Sequence, residues 1–117
     1  MIPAGVEIFV ASRPIDLRWS FDRLAGVVEA SLGRDVRGGA LFVFFGKRRS
    51  AIKVLFYDGT GLCIFYKRLD LGLFVPPDGL PDEPIVEVEP HVLDALLDGV
   101  SVERKVRRIA VAKHWFH

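Results

Sequence analysis

Cysteine is almost missing from this chain: Cys63 stands alone among 117 residues. No internal disulfide can form, and a single thiol inside an apolar run reads as a small core residue in a reducing cytoplasm. Long apolar stretches are missing as well. No run approaches the roughly 18 residues that a membrane-spanning helix needs. The first residues show no basic segment leading into an apolar one, so secretion is not expected. His91, His114 and His117 have no metal-ligand spacing with one another or with Cys63. Ser12, Ser20, Ser31, Ser50 and Ser101 sit in no nucleophile motif, and the scattered glycines build no phosphate-cradling loop. These absences exclude a disulfide scaffold and a membrane span. They leave a cytoplasmic protein with no expected cofactor, metal or membrane partner.

What is present suits one soluble domain. Half of the residues are hydrophobic and 26% are charged, and a chain of this size buries a core without staples. The most informative stretch runs from Leu41 to Leu69, LFVFFGKRRSAIKVLFYDGTGLCIFYKRL. Three runs rich in Val, Ile, Phe and Tyr are separated by a basic turn, Gly46 to Ser50, and by Tyr57-Asp58-Gly59-Thr60-Gly61. Asp58-Gly59 fits a type I′ turn, so the second and third runs should pair antiparallel. The result is a three-strand meander. Lys47, Arg48, Arg49, Lys67 and Arg68 are expected along one rim of it, with Lys53 nearby.

Around the meander, Gly5 to Ala11 reads as an opening strand. Ser20 reads as an N-cap, and Phe21, Leu24, Val27, Val28, Ser31 and Leu32 follow the helical period up to Gly33, a left-handed stop. A short strand at Gly72 to Val75 should extend the sheet. Pro76, Pro77, Gly79, Pro81 and Pro84 mark an exposed loop. Ile85 to Glu89 suits an edge strand, and Pro90 to Gly99 a helix. The expected class is α+β: a central antiparallel β-meander packed by one or two helices, one face of it covered by the helix from Ser20 to Leu32. Residues 1–99 form the domain, and residues 100–117 a basic tail that reads as strand or helix.

Charge is segregated although the net is only +1. Six basic residues and one acidic lie between Gly38 and Arg68; eight acidic and no basic lie between Leu69 and Gly99. The tail turns basic again with Arg104, Lys105, Arg107, Arg108 and Lys113. Such blocks either create local fields that attract a partner or pair with one another inside the fold. Trp115, Phe116 and His114 at the end of the tail could stack on a base, dock on a protein or fold back on the domain.

The central block resembles a known family. Leu41-Phe42-Val43-Phe44, Ile52-Lys53-Val54-Leu55, Asp58-Gly59 with Gly61-Leu62-Cys63, and Tyr66-Lys67-Arg68-Leu69 carry the resemblance. Met1-Ile2-Pro3, Asp16-Leu17-Arg18, Phe21-Asp22 and Leu24 extend it on one side. Gly72, Phe74-Val75, Leu96-Leu97 and Gly99 extend it on the other. Together they look like the TnpB (Orf2-like) accessory protein of the insertion sequence 66 family of bacterial transposable elements, distinct from the RNA-guided nuclease that shares the TnpB name. Trp19, Phe56 and Pro76 depart from the pattern at positions that are often Lys, Trp and Trp. The resemblance implies an accessory factor for transposition, working beside a separate transposase that carries the acidic catalytic residues.

The residues themselves agree with a non-catalytic part. Transposition chemistry needs several carboxylates around divalent metal. Of the candidates, Asp16 can cap a turn or pair with Arg18, Asp22 suits a helix start, and Asp58 builds a hairpin. Two readings follow. In one, DNA phosphates meet Lys47, Arg48, Arg49, Lys53, Lys67 and Arg68, with Arg104, Lys105, Arg107 and Arg108 of the tail assisting. Phe45, Phe56, Tyr57, Phe65 and Tyr66 lie close to this rim, most of them as core. In the other, the domain is an adaptor that contacts the transposase through the acidic loop from Asp78 to Glu89 or through an open sheet edge, which also allows a homodimer.

Overall fold

In the computed structural model, residues 5–76, 85–99 and 107–108 are described. Chain order is β1 (Ile8–Ala11), α1 (Phe21–Leu32), β2 (Leu41–Phe45), β3 (Ala51–Tyr57), β4 (Leu62–Arg68), β5 (Ile85–Val88), α2 (Pro90–Leu97) and β6 (Arg107–Arg108). One sheet holds all the strands in the order β4-β3-β2-β1-β5-β6. The fold is α+β, and the meander β2-β3-β4 is antiparallel throughout. The sheet as a whole is mixed, because β1 and β2 run parallel, with Ile8 beside Leu41 and Val10 beside Val43. A parallel pair needs a crossover, and α1 is that crossover.

The helices lie on opposite faces. Phe9, Ala11, Phe42, Phe44 and Leu55 pack with Leu24, Ala25, Val27 and Val28 of α1. Ile8, Val10, Val43, Phe45, Ile52 and Val54 pack with Val92, Leu93 and Leu96 of α2. This corrects the expectation of one covered face, and it explains why Ile8–Ala11 and Leu41–Phe45 are apolar at every position. A strand buried on both faces reads as a continuous apolar run. Phe9 and Phe42, side by side in the register, stack at 5.7 Å between ring centres on the α1 face.

Several local expectations change in detail. Phe21 shares the period of α1 but is 42% exposed. Ser20 caps α1 through its backbone position without a side-chain hydrogen bond, whereas Gly33 takes the left-handed conformation (φ 63°) as its sequence position suggests. The β3–β4 hairpin is not closed by a type I′ turn at Asp58-Gly59: Gly59 has φ 99°, but Asp58 does not take the positive φ that such a turn needs. The Asp58 carboxylate closes it by accepting from the backbone N–H groups of Thr60 and Gly61, each at 2.9 Å. Cys63 is half-buried on β4 rather than deep in the core. Ile85–Val88 is not an edge strand, because β6 pairs beyond it.

Residues 72–75 are not a strand. One residue of that segment, Phe74, turns inward and is buried at 1% exposure among the α2-face residues. Its neighbours Leu73 and Val75 stay exposed. The loop residues Pro77, Gly79, Pro81 and Pro84, with the acidic residues between them, lie outside the described residues, as does most of the segment from 100 onward. No helix among the described residues is long and apolar enough to cross a membrane.

Candidate functional site

The turn between β2 and β3 is shaped by backbone bonds. The Gly46 N–H donates to the Ala51 carbonyl at 3.2 Å, and the Arg49 N–H to the Gly46 carbonyl at 3.0 Å. Arg49 pays for this shape in conformation, with φ 56° in the left-handed region that a side chain disfavours. Behind the turn, the Phe74 N–H donates to the Arg49 carbonyl at 2.7 Å, and the Leu69 N–H to the Ser50 carbonyl at 2.9 Å. A second loop, after β1, is fastened alongside. Ile15 bridges Gly46, its N–H donating to the Phe45 carbonyl at 2.8 Å. Leu17 lies so close over Gly46 that a Cβ there would collide with its side chain.

Between these loops and the end of β4 opens a cleft of about 340 Å³. Its charged lining is Arg18, Lys47, Arg48, Arg49 and Arg68 against one carboxylate, Asp16. Asp16 is already engaged: Arg18 donates to it from Nη2 at 2.7 Å, from Nε at 3.1 Å and from its own backbone N–H at 2.9 Å. Among the described residues, the side chains of Lys47, Arg48, Arg49 and Arg68 make no hydrogen bond or ion pair, and all four are exposed. Tyr66 completes the wall, 52% exposed. Cations gathered on a concave surface set up a positive local field that can attract an anion.

Strand alternation divides the remaining basic residues. Lys53 points to the α1 face and is only 8% exposed. Its Nζ donates to the carbonyls of Leu17 at 2.5 Å and Trp19 at 2.9 Å, so it ties down the second loop instead of facing solvent. Lys67 points to the opposite face, where its Nζ donates to the Leu97 carbonyl at 2.6 Å. Leu97 ends α2, and α2 has no basic residue in its own last turn. Lys67 therefore supplies the cation that complements the negative end of that helix. Arg107 and Arg108 stand on β6, at the sheet edge opposite β4. Arg104 and Lys105 lie outside the described residues. Arg18 and Tyr66 are the cleft residues that the sequence reading did not single out as ligands.

The acidic candidates hold structural posts. Hydrogen bonds from the Arg18 guanidinium, then from its backbone N–H, hold the Asp16 carboxyl at about 2 against an ordinary 3.8. Backbone N–H groups of Thr60 and Gly61, then the Thr60 hydroxyl, hold Asp58 likewise at about 2. Asp22 occupies the first turn of α1. Burial first, and the Asp58 charge second, push the Cys63 thiol up, which keeps it protonated and poorly nucleophilic. Among the described residues, no three His, Cys, Asp or Glu side chains gather where they could hold a metal ion.

A pH dependence follows. Asp16 and Asp58 take a proton more readily in the unfolded chain than in the folded one. Their stabilisation is therefore present above the unfolded value near 3.8 and is lost as pH falls toward about 2. Thermal melts between about pH 6 and pH 2 should show the midpoint falling most steeply below about pH 4. Asp58→Asn should flatten that fall; an unaltered slope would deny Asp58 a part in it.

Residues 6–107 match the family described as IS66 Orf2-like protein. The chain belongs to that family. It is an accessory family associated with transposition of insertion elements, not a known catalytic one. Two relatives come from Sinorhizobium fredii (strain NBRC 101917 / NGR234). Uncharacterized protein y4hO is 38% identical over 103 residues, covering 86% of this chain and 88% of the relative. Uncharacterized protein y4jC is 29% identical over 104 residues, covering 89% and 87%. No solved structure matches the chain. Family membership associates the protein that carries this cleft with transposition of insertion elements.

Proposed function

We propose that this IS66 Orf2-like protein is a non-catalytic accessory factor that binds DNA backbone through the cleft between the β2–β3 turn, the Asp16–Arg18 loop and the end of β4. One observation supports this above the others: Lys47, Arg48, Arg49 and Arg68 converge on one concave surface with no side-chain hydrogen bond or ion pair among the described residues, while its carboxylate is already paired with Arg18. Cations on loops held by backbone bonds reach phosphates at little cost in ordering. Such contacts position a duplex or strand without reading its sequence. Lys53, turned toward Leu17 and Trp19, and Lys67, turned toward Leu97, take no direct part in this reading.

With four contacts, the logarithm of affinity should fall against the logarithm of salt with a slope of roughly −2.8 to −3.6. Titrating a labelled oligonucleotide from about 50 to 200 mM salt should then weaken binding roughly 50- to 150-fold. A flat response would remove this reading.

A second reading has its own support. Among the described residues, the outer edge of β4 pairs with no strand, and Phe65, Leu71, Leu73 and Val75 are exposed close to it in sequence. An open edge beside apolar side chains suits β-addition by a protein partner, for which the transposase of the same element is the candidate. A complex with that transposase that survives nuclease treatment would favour the adaptor; its loss under nuclease would make DNA the bridge.

A further inference from the structure

We infer that the cleft receives single-stranded rather than double-stranded DNA, with one base stacked on Tyr66; this rests on the DNA reading above. Phosphate contacts alone would require only cations, yet the wall of this cleft includes a large aromatic ring left 52% exposed. The ring is not loosely placed. On one side it meets the Lys53 ammonium, 5.4 Å from the ring centre. That ammonium is fixed by the Leu17 and Trp19 carbonyls, on the loop that forms the facing wall. A cation held against one side of the phenol restrains it, so stacking on the free side costs little additional order.

Position along β4 adds to the argument. Tyr66 and Arg68 are two residues apart and so emerge from the same face, about 7 Å from each other along the strand. A base on the ring would place its flanking phosphate within reach of Arg68, and Arg48 and Arg49 stand on the adjoining turn. The volume, 340 Å³, is at the small end of ligand clefts and suits a single nucleotide. In a duplex each base face is already covered by its neighbours, leaving the ring without a partner. In a single strand every base offers a free π-face.

Fluorescence anisotropy of the full chain tests this with three probes of about 12 nucleotides: labelled oligothymidylate, an abasic strand of equal length, and a duplex. The wild type should bind oligothymidylate roughly five- to a hundredfold more tightly than the abasic strand, the range that stacking supplies. Tyr66→Ala should bind the two strands alike, and Tyr66→Phe should keep the preference. Tighter binding of the duplex at equal salt would overturn the inference. So would equal binding of the two strands by the wild type, a comparison that stands even if Tyr66→Ala fails to fold. The DNA reading fails separately, and the stack with it, if reversing the charges of Arg48, Arg49 and Arg68 leaves oligothymidylate binding intact.

Discussion

The triple variant R48E/R49E/R68E should bind DNA at least about a hundredfold more weakly than the wild type at roughly 100 mM salt, with the salt slope reduced by about three. Each reversed residue removes one phosphate contact and sets a carboxylate against the polyanion. The same substitutions should leave thermal stability nearly unchanged. All three side chains are exposed and, among the described residues, make no hydrogen bond or ion pair, and such surface changes stay within about 0.5 kcal/mol. At Arg49 the left-handed backbone is equally awkward for Arg and Glu, so the exchange adds no new strain. Lys67 is excluded from the set on purpose. A glutamate there would face the carbonyl end of α2, where Lys67 now donates to Leu97, and any loss of binding could then come from a loosened helix. Unchanged DNA affinity in a folded triple variant would end the phosphate-binding proposal.

The elements that could be read from the sequence are those with local signals. The left-handed Gly33 and the period from Leu24 to Val28 give α1, and the two turn segments around β3 give the meander. The parallel pairing of β1 with β2 has no such signal, because it joins residues about 33 apart and depends on where α1 leads the chain. Its trace in the sequence is indirect: apolar runs too continuous for a half-exposed strand. The site divides in the same way. Lys47, Arg48 and Arg49 are adjacent in one turn, so their grouping is local. Lys53 and Lys67 sit on strands, where a side chain's face depends on register, and that register turns one toward Leu17 and the other toward Leu97. Arg18 joins the cleft through the Ile15–Gly46 bridge; its pairing with Asp16 is legible from their spacing, whereas its place beside the basic turn depends on the bare Gly46, where Leu17 needs the space.

Phe74 links the core to the cleft, and its loss should have the largest effect on stability. Phe74→Ala removes a fully buried ring that lies 6.4 Å from Phe45 and packs among the residues beneath α2. Truncation of a buried Phe costs about 3–5 kcal/mol, which for a domain of this size lowers the melting midpoint by roughly 10–20 °C. Leu73→Ala is the matched control: Leu73 is adjacent in sequence but 58% exposed, so its change should stay within about 0.5 kcal/mol. The effect should also reach the basic turn. The Phe74 N–H holds the Arg49 carbonyl, and the strained φ of Arg49 persists only while its surroundings enforce it. Once the ring that anchors residue 74 is gone, that restraint weakens and the turn can relax. Amide hydrogen exchange should then rise across residues 46–50 in Phe74→Ala, beyond the rise in α1 on the far face of the sheet. Equal increases in both places would mean that Phe74 supports the domain as a whole and not the basic turn in particular.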